Sequence, residues 1–321
     1  MESVRCNFCG ADDAPVLFRK KDKLRIGAEE FSVVRCSRCG LLYLNPRPDQ
    51  EEIARFYPDH YSWKGGLEAG SSLTRFVRGM EKRYRYHLLE GEVTKVIQFA
   101  GRHAGKLLDV GCGTGDRLDV FRSFGFETFG VEISGSAGYA AEIMKLNVRK
   151  GDLFEAHFPD AFFDVITLYH VLEHTHDPFS VCKEIARVLK EDGRVVIQVP
   201  NTDSWQYRIF RERWAAFDVP RDLYYFSPKT LQALLVRAGF EVVNIDPYMN
   251  WWHPPTLVIS LFPSLDPQMA WEQEGKGRTT LLQRIFWILC TLVAGPLTQL
   301  ESLMGRGAIV TYYARKSPIF V

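Results

Sequence analysis

"LLDVGCGTGD", residues 107–116, is an apolar run that ends in an acid and continues with three glycines on alternate positions. Loops of this kind join a buried parallel strand to a helix, and their bare backbone lets a nucleotide-like ligand approach the helix N-terminus. A dinucleotide-binding fingerprint needs its third glycine at the position that Asp116 holds here. Because Asp109 and Asp116 surround the loop with negative charge, it suits a cationic ligand better than a pyrophosphate.

Strand and helix patterns alternate from this loop towards the end of the chain. Such alternation is typical of an α/β fold in which helices cover both faces of a parallel sheet. Seven segments have the composition of strands: residues 106–111, 128–133, 147–152, 164–170, 194–200, 240–246 and 308–315. The sequence therefore predicts a seven-stranded sheet with the glycine loop at the carboxyl edge of its strands.

The motif D-x-G-x-G-x-G after an apolar strand resembles motif I of the class I methyltransferases, which bind S-adenosylmethionine. The resemblance covers about residues 105–248 and 307–316, and it implies a Rossmann-like sheet whose last strand returns antiparallel. It also implies cofactor contacts from the glycine loop and from the ends of the next strands: Asp109, Gly111, Gly113, Gly115, Glu132, Asp152, Leu153 and Tyr169.

The later contacts have separate roles. Glu132 lies about 20 residues past the glycines, where a carboxylate takes both ribose hydroxyls. NAD enzymes also place an acid there, so Glu132 alone does not discriminate between the two cofactors. The resemblance implies that Asp152 accepts the adenine amino group, that Leu153 packs on the adenine ring and that Tyr169 lies against the methionine end.

The fourth strand runs into "LYHVLEHTHDP", which contains His170-x-x-Glu173-His174. As a bare motif, H-x-x-E-H matches one class of zinc metallopeptidases. That class needs its histidines on a helix, whereas this motif continues a strand towards a helix start at Asp177-Pro178. The stretch is more similar to the L-E-H-x-x-D-P of the ubiquinone O-methyltransferases and related small-molecule enzymes.

The resemblance makes His170, Glu173 and His174 the candidate catalytic residues. A histidine titrates near neutral pH, so His170 is suited to take the proton of an attacking hydroxyl. Relatives with E-x-x-E-H at this position hold a divalent metal, and the three side chains here form a second candidate metal site. A third alternative is that His170 packs at the strand end for structure alone.

Two C-x-x-C-G motifs near the start of the chain predict a metal site. In each motif the glycine allows a tight turn that aims both thiolates at one ion, and four thiolates form a closed tetrahedral zinc site. The ligands are Cys6, Cys9, Cys36 and Cys39. The segments "EEFSVVRC" and "GLLYLNP" read as strands around the second motif, so we predict a structural zinc ribbon over residues 1–48.

The charges of the chain are balanced, with 40 Lys and Arg against 39 Asp and Glu. No global field therefore attracts the protein to nucleic acid or to anionic lipid. The start of the chain lacks the basic and apolar regions of a secretory signal, and an odd count of seven cysteines with two close pairs favours a reducing compartment. We expect a cytoplasmic protein.

A helical linker or cap is predicted over residues 49–100, with a short helix and an aromatic-rich loop in 51–66. The methyltransferase domain then occupies 101–321 and carries insertions at 202–226 and 249–306. The first insertion holds eight aromatic residues and four arginines, which suit either a lid over the acceptor or a packed core. Zinc-ribbon methyltransferases that resemble this chain carry P-R-H-L there, and the Asp of Pro220-Arg221-Asp222-Leu223 weakens any catalytic role taken over from them.

The second insertion contains a run of 16 uncharged residues, 285–300. It is shorter than the ~20 residues of a spanning helix and contains Gly295-Pro296. Three alternatives remain for this run: a helix in peripheral contact with a membrane, a homodimer contact, or a buried helix.

Together these patterns predict methyl transfer from S-adenosylmethionine to a small-molecule acceptor, a hydroxyl of a sugar, of a lipid-linked molecule or of a quinone-like metabolite. The alternative is an RNA methyltransferase guided by its zinc ribbon. The signature [DNS]-P-P-[YFW] of base-methylating enzymes is replaced by "LYHV" after the fourth strand, which weakens that alternative.

Overall fold

Two sheets, one of seven strands and one of four, organise the protein. The computed structural model describes residues 1–57, 72–247, 253–266 and 281–317. The strands are β1 Val16–Lys21, β2 Glu30–Arg35, β3 Leu42–Leu44, β4 Gly105–Val110, β5 Phe126–Glu132, β6 Asn147–Lys150, β7 Phe163–Tyr169, β8 Leu189–Pro200, β9 Tyr224–Tyr225, β10 Phe240–Asp246 and β11 Ile309–Lys316. The α-helices are α1 Ser72–Ala100, α2 Asp116–Ser123, α3 Ser136–Glu142, α4 Pro178–Val188, α5 Trp205–Phe210, α6 Pro228–Arg237, α7 His253–Leu261 and α8 Leu281–Leu303.

The large sheet has the order β10-β11-β8-β7-β4-β5-β6. The β5–β6, β4–β5, β4–β7 and β7–β8 pairs are parallel, while β11 runs antiparallel to both of its neighbours. All seven predicted strands are present, and the antiparallel return of the last one is confirmed. The carboxyl ends of β6, β5, β4 and β7 therefore lie side by side along one edge of the sheet.

Helix α4 shows how the sequence covers this sheet. Asp177 caps it by accepting a hydrogen bond from Ser180 N at 3.0 Å, and Pro178 occupies the first turn, where its missing N–H costs nothing. Buried side chains recur three and four residues apart along the helix: Val181, Cys182, Ile185 and Val188. This spacing places one apolar stripe against the sheet.

The small sheet has the order β1-β2-β3-β9, with all three pairs antiparallel. The predicted strands at 29–36 and 40–46 correspond to β2 and β3, whereas β1 was not predicted. The fourth strand, β9, comes from the 202–226 insertion, and Tyr225 pairs with Leu42 while Tyr224 pairs with Tyr43. The insertion is therefore part of the ribbon's sheet.

The aromatic side chains of this insertion pack mainly as a core. Trp214 and Phe217 are fully buried, and Tyr224, Tyr225 and Phe226 are 1% exposed. Phe217 makes edge-on ring contacts with Trp214 at 5.4 Å and with Tyr225 at 4.6 Å. Of the two interpretations of these rings, the packed core describes them better than a lid.

Arg221 is fully buried and joins the ribbon to the rest of the chain. Its guanidinium donates to Asp22 in the ribbon and to Asp218, both at 2.7 Å, and to the carbonyl of Phe56 at 2.9 Å. Burying a cation is costly unless such partners surround it. The three segments that supply these groups must therefore assemble together.

The described part of the linker consists of a short 3-10 helix, Ile53–Phe56, and of α1. The predicted aromatic-rich loop lies mostly at residues 58–66, outside the described residues.

In the second insertion, α7 packs on α8, and α8 continues through Gly295 and Pro296. Its window Phe286–Leu303 has a mean hydropathy of 1.3 and is 22% buried, so it has the length and composition of a spanning helix. The buried-helix alternative for residues 285–300 is therefore wrong. The sequence correctly indicated an apolar helix, but helix composition does not show which face the fold covers.

We predict that Arg221→Met lowers the free energy of unfolding by about 3–5 kcal/mol, because it removes the cation shared by two buried carboxylates. The matched control is Arg315→Met, whose pair with Glu241 is exposed and contributes little. Urea unfolding of both variants measures the difference. Equal unfolding midpoints for Arg221→Met and the unaltered protein would contradict a structural role for the buried pair.

Candidate active site

The glycine loop connects β4 to α2 through three left-handed glycines. Gly111, Gly113 and Gly115 have φ angles of 68°, 55° and 82°, which residues with a side chain rarely adopt. A Cβ at Gly111 would collide with Val171, and one at Gly115 with Leu146. At Gly113 a Cβ would meet no atom within 4 Å, so the backbone there faces open space. The loop thus presents bare backbone where a ligand can approach.

Glu132, at the end of β5, holds this loop in place. Its carboxylate accepts hydrogen bonds from Gly113 N and Ser134 N, both at 2.8 Å. A carboxylate has about four acceptor positions, so two remain for the ribose hydroxyls that the resemblance assigns to this residue.

Asp109 lies under the loop at 2% exposure and accepts a hydrogen bond from Thr167 Oγ1 at 2.6 Å. Burial raises the pKa of Asp109 to about 6, although Arg117 and the Thr167 bond oppose the shift. A buried carboxylate is most favourable with a cation nearby, and the ligand that the resemblance implies is a cation.

The remaining cofactor candidates continue along the same edge. Asp152 and Leu153 follow β6, where Asp152 is exposed and Leu153 is buried at 2%. Asp152 Oδ1 accepts from Glu155 N at 2.8 Å, which fixes the carboxylate at the end of the strand. Tyr169 ends β7, on the other side of β4. The order of these residues along the edge is the order of adenine, ribose and methionine that the resemblance implies.

Arg117 was missed by the sequence analysis. Its guanidinium stacks over the Tyr169 ring, 3.4 Å from the ring centroid, and donates to Glu92 on α1 at 2.9 Å. Its Nε is buried and has no hydrogen-bond partner among the described residues. The sequence signal was an arginine in the first turn of the helix after the glycine loop, where a cation is unfavourable unless it has a partner.

His170 follows β7 in a left-handed conformation, with a φ of 56°. Such backbone strain in a residue other than glycine is concentrated at functional sites. His170 Nδ1 lies 3.1 Å from Glu173 Oε1, and Glu173 is 1% exposed. Because a carboxylate only accepts, Nδ1 carries the proton, and Nε2 is left to accept another one. Nε2 is buried and has no hydrogen-bond partner among the described residues.

His174 faces away from His170. Its Nδ1 lies 3.1 Å from both the carbonyl of Arg221 and Asp222 Oδ1. Burial alone would lower the pKa of His174, but the hydrogen bond and charge of Asp222, together with Glu173, raise it to about 10. The pairing with Asp222 in the Pro220–Leu223 stretch therefore favours the protonated form of His174, while burial raises the pKa of Asp222 as well.

The second divalent metal site does not fit this arrangement. A histidine must be neutral to bind a metal, whereas His174 is held protonated and turned towards Asp222. Within the part of the chain that the structure describes, the donor atoms of His170, Glu173 and His174 do not form a group that could hold an ion. The 3-10 helix Leu172–His174 is also too short to present a metallopeptidase motif.

The four cysteines of the ribbon do converge. Cys6 and Cys39 have sulfurs 3.5 Å apart, as do Cys9 and Cys36, and all four sulfurs lie within 4.8 Å of one another. A tetrahedral zinc with Zn–S bonds of about 2.3 Å spaces its sulfurs about 3.8 Å apart, so the site fits Zn²⁺. Gly10 and Gly40 turn the chain behind each pair with φ angles of 72° and 79°.

Comparison with known proteins agrees with a cofactor site at this edge of the sheet. The family model described as a methyltransferase domain matches residues 82–245, half of the chain. The chain therefore belongs to the methyltransferase domain family, and this region forms a class I S-adenosylmethionine-dependent methyltransferase domain.

Several curated relatives are similar over this region. A Mycolicibacterium smegmatis protein named "Probable S-adenosylmethionine-dependent methyltransferase" is 28% identical over 45% of this chain. The matched region spans 56% of the length of that relative. The ubiquinone biosynthesis O-methyltransferase of Nitrosospira multiformis is 27% identical over 51% of this chain and 74% of its own length. That of Thiobacillus denitrificans is 30% identical over 44% of this chain and 66% of its own length.

Among solved structures, the (4+2)-cyclase SpnF superposes with a TM-score of 0.53 and 18% identity, over 84% of this chain and 97% of that one. At this identity the likeness shows a shared fold.

We predict that the protein binds zinc at the cysteine cluster and that Cys36→Ser loses the metal. Because the ribbon shares β9 with the rest of the chain, thermal stability should fall together with the zinc content. The control is Cys290→Ser, in α8. Metal analysis by mass spectrometry measures the stoichiometry. A zinc-free unaltered protein, or zinc retained in single serine variants of all four cysteines, would refute the site.

A further prediction concerns the buried charge of Asp109. The pKa of Asp109 in the folded protein, about 6, lies above its ordinary value of 3.8. The free energy of unfolding therefore falls as the pH rises from 3.8 to about 6, and it stays lower at higher pH. Asp109→Asn should therefore raise the free energy of unfolding at pH 7 by up to about 3 kcal/mol. The same variant should bind S-adenosylmethionine at least about tenfold more weakly, because it loses a carboxylate beside a cationic ligand.

Calorimetry with S-adenosylmethionine and urea unfolding give the two readouts. Glu127→Gln, an exposed carboxylate at the start of β5, is the control and should change neither. Unchanged affinity in Asp109→Asn, or binding of NADH in place of S-adenosylhomocysteine, would contradict the assignment of this edge.

Proposed function

We propose that the protein transfers the methyl group of S-adenosylmethionine to a hydroxyl of a small molecule, with His170 as the general base. The observation that carries this proposal is the unpartnered Nε2 of His170, which follows the strand end that bears Tyr169. When bound, S-adenosylmethionine supplies a methyl group on a sulfonium that is already an excellent leaving group.

The side chains around His170 prepare it for this role. Glu173 accepts from Nδ1 and so selects the neutral tautomer with a lone pair on Nε2. When the acceptor oxygen attacks the methyl carbon, its carbon–oxygen bond forms as the carbon–sulfur bond breaks, and the hydroxyl proton passes to Nε2 of His170. The second oxygen of Glu173 is also buried without a hydrogen-bond partner among the described residues, which leaves it available to a polar group of the acceptor.

The glycine loop and Glu132 contribute by alignment. Most of the rate acceleration comes from holding the nucleophile in line with the reacting carbon. The translational and rotational freedom of the reactants is then lost when they bind and not in the chemical step. The hydrogen bonds that Glu132 accepts from Gly113 N and Ser134 N give the ribose end a rigid support.

The names of two relatives support the proposed acceptor class. Both are ubiquinone biosynthesis O-methyltransferases, which supports an oxygen acceptor and, among the three kinds of molecule predicted, favours the quinone-like one. Among the residues that the structure describes, no observation supports the alternative of an RNA acceptor.

The test is transfer of labelled methyl from S-adenosylmethionine to a small-molecule or lipid extract, with products identified by a mass increase of one CH₂. His170→Ala should lower the transfer rate by about 10²–10⁴, the scale of a lost general base, with cofactor affinity unchanged. His103→Ala is the control, since it alters an exposed histidine before β4, at the opposite edge of the sheet.

The variant Glu173→Gln tests how far activity depends on the orientation and tautomer of His170, with the imidazole still present. A glutamine at this position can still contact the His170 ring, but it no longer imposes the productive tautomer, so the loss should be smaller than in His170→Ala. Full activity in His170→Ala would leave alignment as the whole mechanism. Activity that a chelator abolishes and Mg²⁺ restores, with the ribbon zinc retained, would instead favour metal catalysis.

A further inference from the structure

Helix α8 presents a long apolar surface to solvent, which we call the outer face. Eight of its side chains and the following Met304 are 46–71% exposed: Phe286, Ile288, Leu289, Leu292, Val293, Leu297, Leu300, Leu303 and Met304. The face continues onto α7, where Leu261 and Phe262 are 49% and 44% exposed and the Phe262 ring contacts Phe286 at 5.9 Å. Contiguous apolar patches of this length mark interaction sites when they occur on soluble proteins.

The polarity of α8 is inverted relative to a helix that covers a protein core. Three polar side chains of its C-terminal half point inward: Thr298, Glu301 and Ser302 are 1–3% exposed, while Gln299 is exposed. Glu301 accepts from Gln206 N at 3.0 Å and from Gln206 Nε2 at 2.9 Å, which ties the inner side of α8 to α5. In an ordinary surface helix the apolar stripe faces the protein and the polar side faces water. The outer face is therefore built for apolar surroundings.

Basic residues lie in the segment that packs along α7 and α8. The Gln206–Glu301 contact joins α5 to the inner side of α8, and Ala215 N, two residues after Arg213, donates to Ser260 Oγ on α7 at 2.9 Å. Arginines outnumber acids in this neighbourhood: Arg208, Arg211, Arg213 and Arg306 stand against Asp203 and Glu212. Asp203 pairs with both Arg208 and Arg306, and Glu212 lies between Arg211 and Arg213 in the chain, so an excess of two positive charges remains.

We propose that the outer face of α8 docks on an anionic lipid bilayer, with the helix lying in the plane of the interface. Apolar residues beside a basic edge are the chemistry that such a surface recognises, since acyl chains receive the former and phosphate headgroups the latter. A second copy of the same surface would bring arginines towards arginines, whereas anionic headgroups attract them.

The inner side of α8 decides between lying on the bilayer and crossing it. A spanning helix needs lipid-compatible side chains around its whole circumference. Here one side is polar and bonded to α5, and α7 packs along the helix. The outer face can therefore enter lipid only as far as the protein body allows.

The test is co-sedimentation of the full-length protein with vesicles of phosphatidylcholine plus phosphatidylglycerol, and with vesicles of phosphatidylcholine alone. The unaltered protein should bind the mixed vesicles, and added salt should weaken this binding. The double variant Leu292→Gln, Val293→Gln should bind at least about tenfold more weakly, because it removes two protruding apolar side chains. Both positions are 68–71% exposed, so folding should be unaffected.

A matched control alters two exposed apolar residues elsewhere, Ile143→Gln and Val243→Gln, and should bind as the unaltered protein does. Arg211→Ala and Arg213→Ala should each lower the affinity for the mixed vesicles about fivefold, with less effect on phosphatidylcholine alone.

Equal binding by the Leu292→Gln, Val293→Gln variant and the unaltered protein would overturn the proposal. So would the absence of vesicle binding together with a dimer that this variant dissociates in analytical ultracentrifugation, since the face would then be a contact between copies. Affinity for S-adenosylmethionine should stay constant in all these variants, which keeps the result independent of the proposed catalysis.

Discussion

One buried guanidinium joins the parts of this protein that carry its chemistry. Arg221 reaches Asp22 in the ribbon and Asp218 in its own loop, while its carbonyl lies against His174. A cation without solvent is tolerable only when its partners are fixed, so the ribbon, the loop and the strand end after β7 depend on one another. The position of Glu173 follows as well, since its carbonyl accepts from Leu223 N at 2.8 Å. The orientation of His170 thus depends indirectly on contacts that begin in the ribbon.

Much of the cofactor edge could be predicted because its determinants are local. An apolar strand followed by Asp109 and alternate glycines specifies a strand, a turn and a helix within ten residues. Glu132 and Asp152 could then be placed because parallel strands end at the same edge of a sheet. The two C-x-x-C-G motifs also have local determinants, since each cysteine pair and its glycine occupy five consecutive residues.

The features that escaped prediction are those that depend on distant parts of the chain. Strand β9 has two residues, too few for any periodic pattern, and it forms because β3 offers an edge. His174 pairs with Asp222, a residue 48 positions further along the chain. This contact makes His174 an ion-pair partner, whereas the sequence predicted a catalytic residue or a metal ligand. Composition identified an apolar helix at 285–300, but the inward turn of Glu301 depends on Gln206, which lies in another insertion.

The shared small sheet has a consequence for how this architecture arose. Because Tyr224 and Tyr225 complete the ribbon's sheet from within the catalytic region, the two units are interlaced rather than strung in series. A gene fusion that merely added residues 1–48 in front of an older enzyme would have left β3 with a bare edge and Arg221 without Asp22. A protein that kept one of these two units without the other would therefore have an unpaired sheet edge and a buried charge that lacks one of its partners.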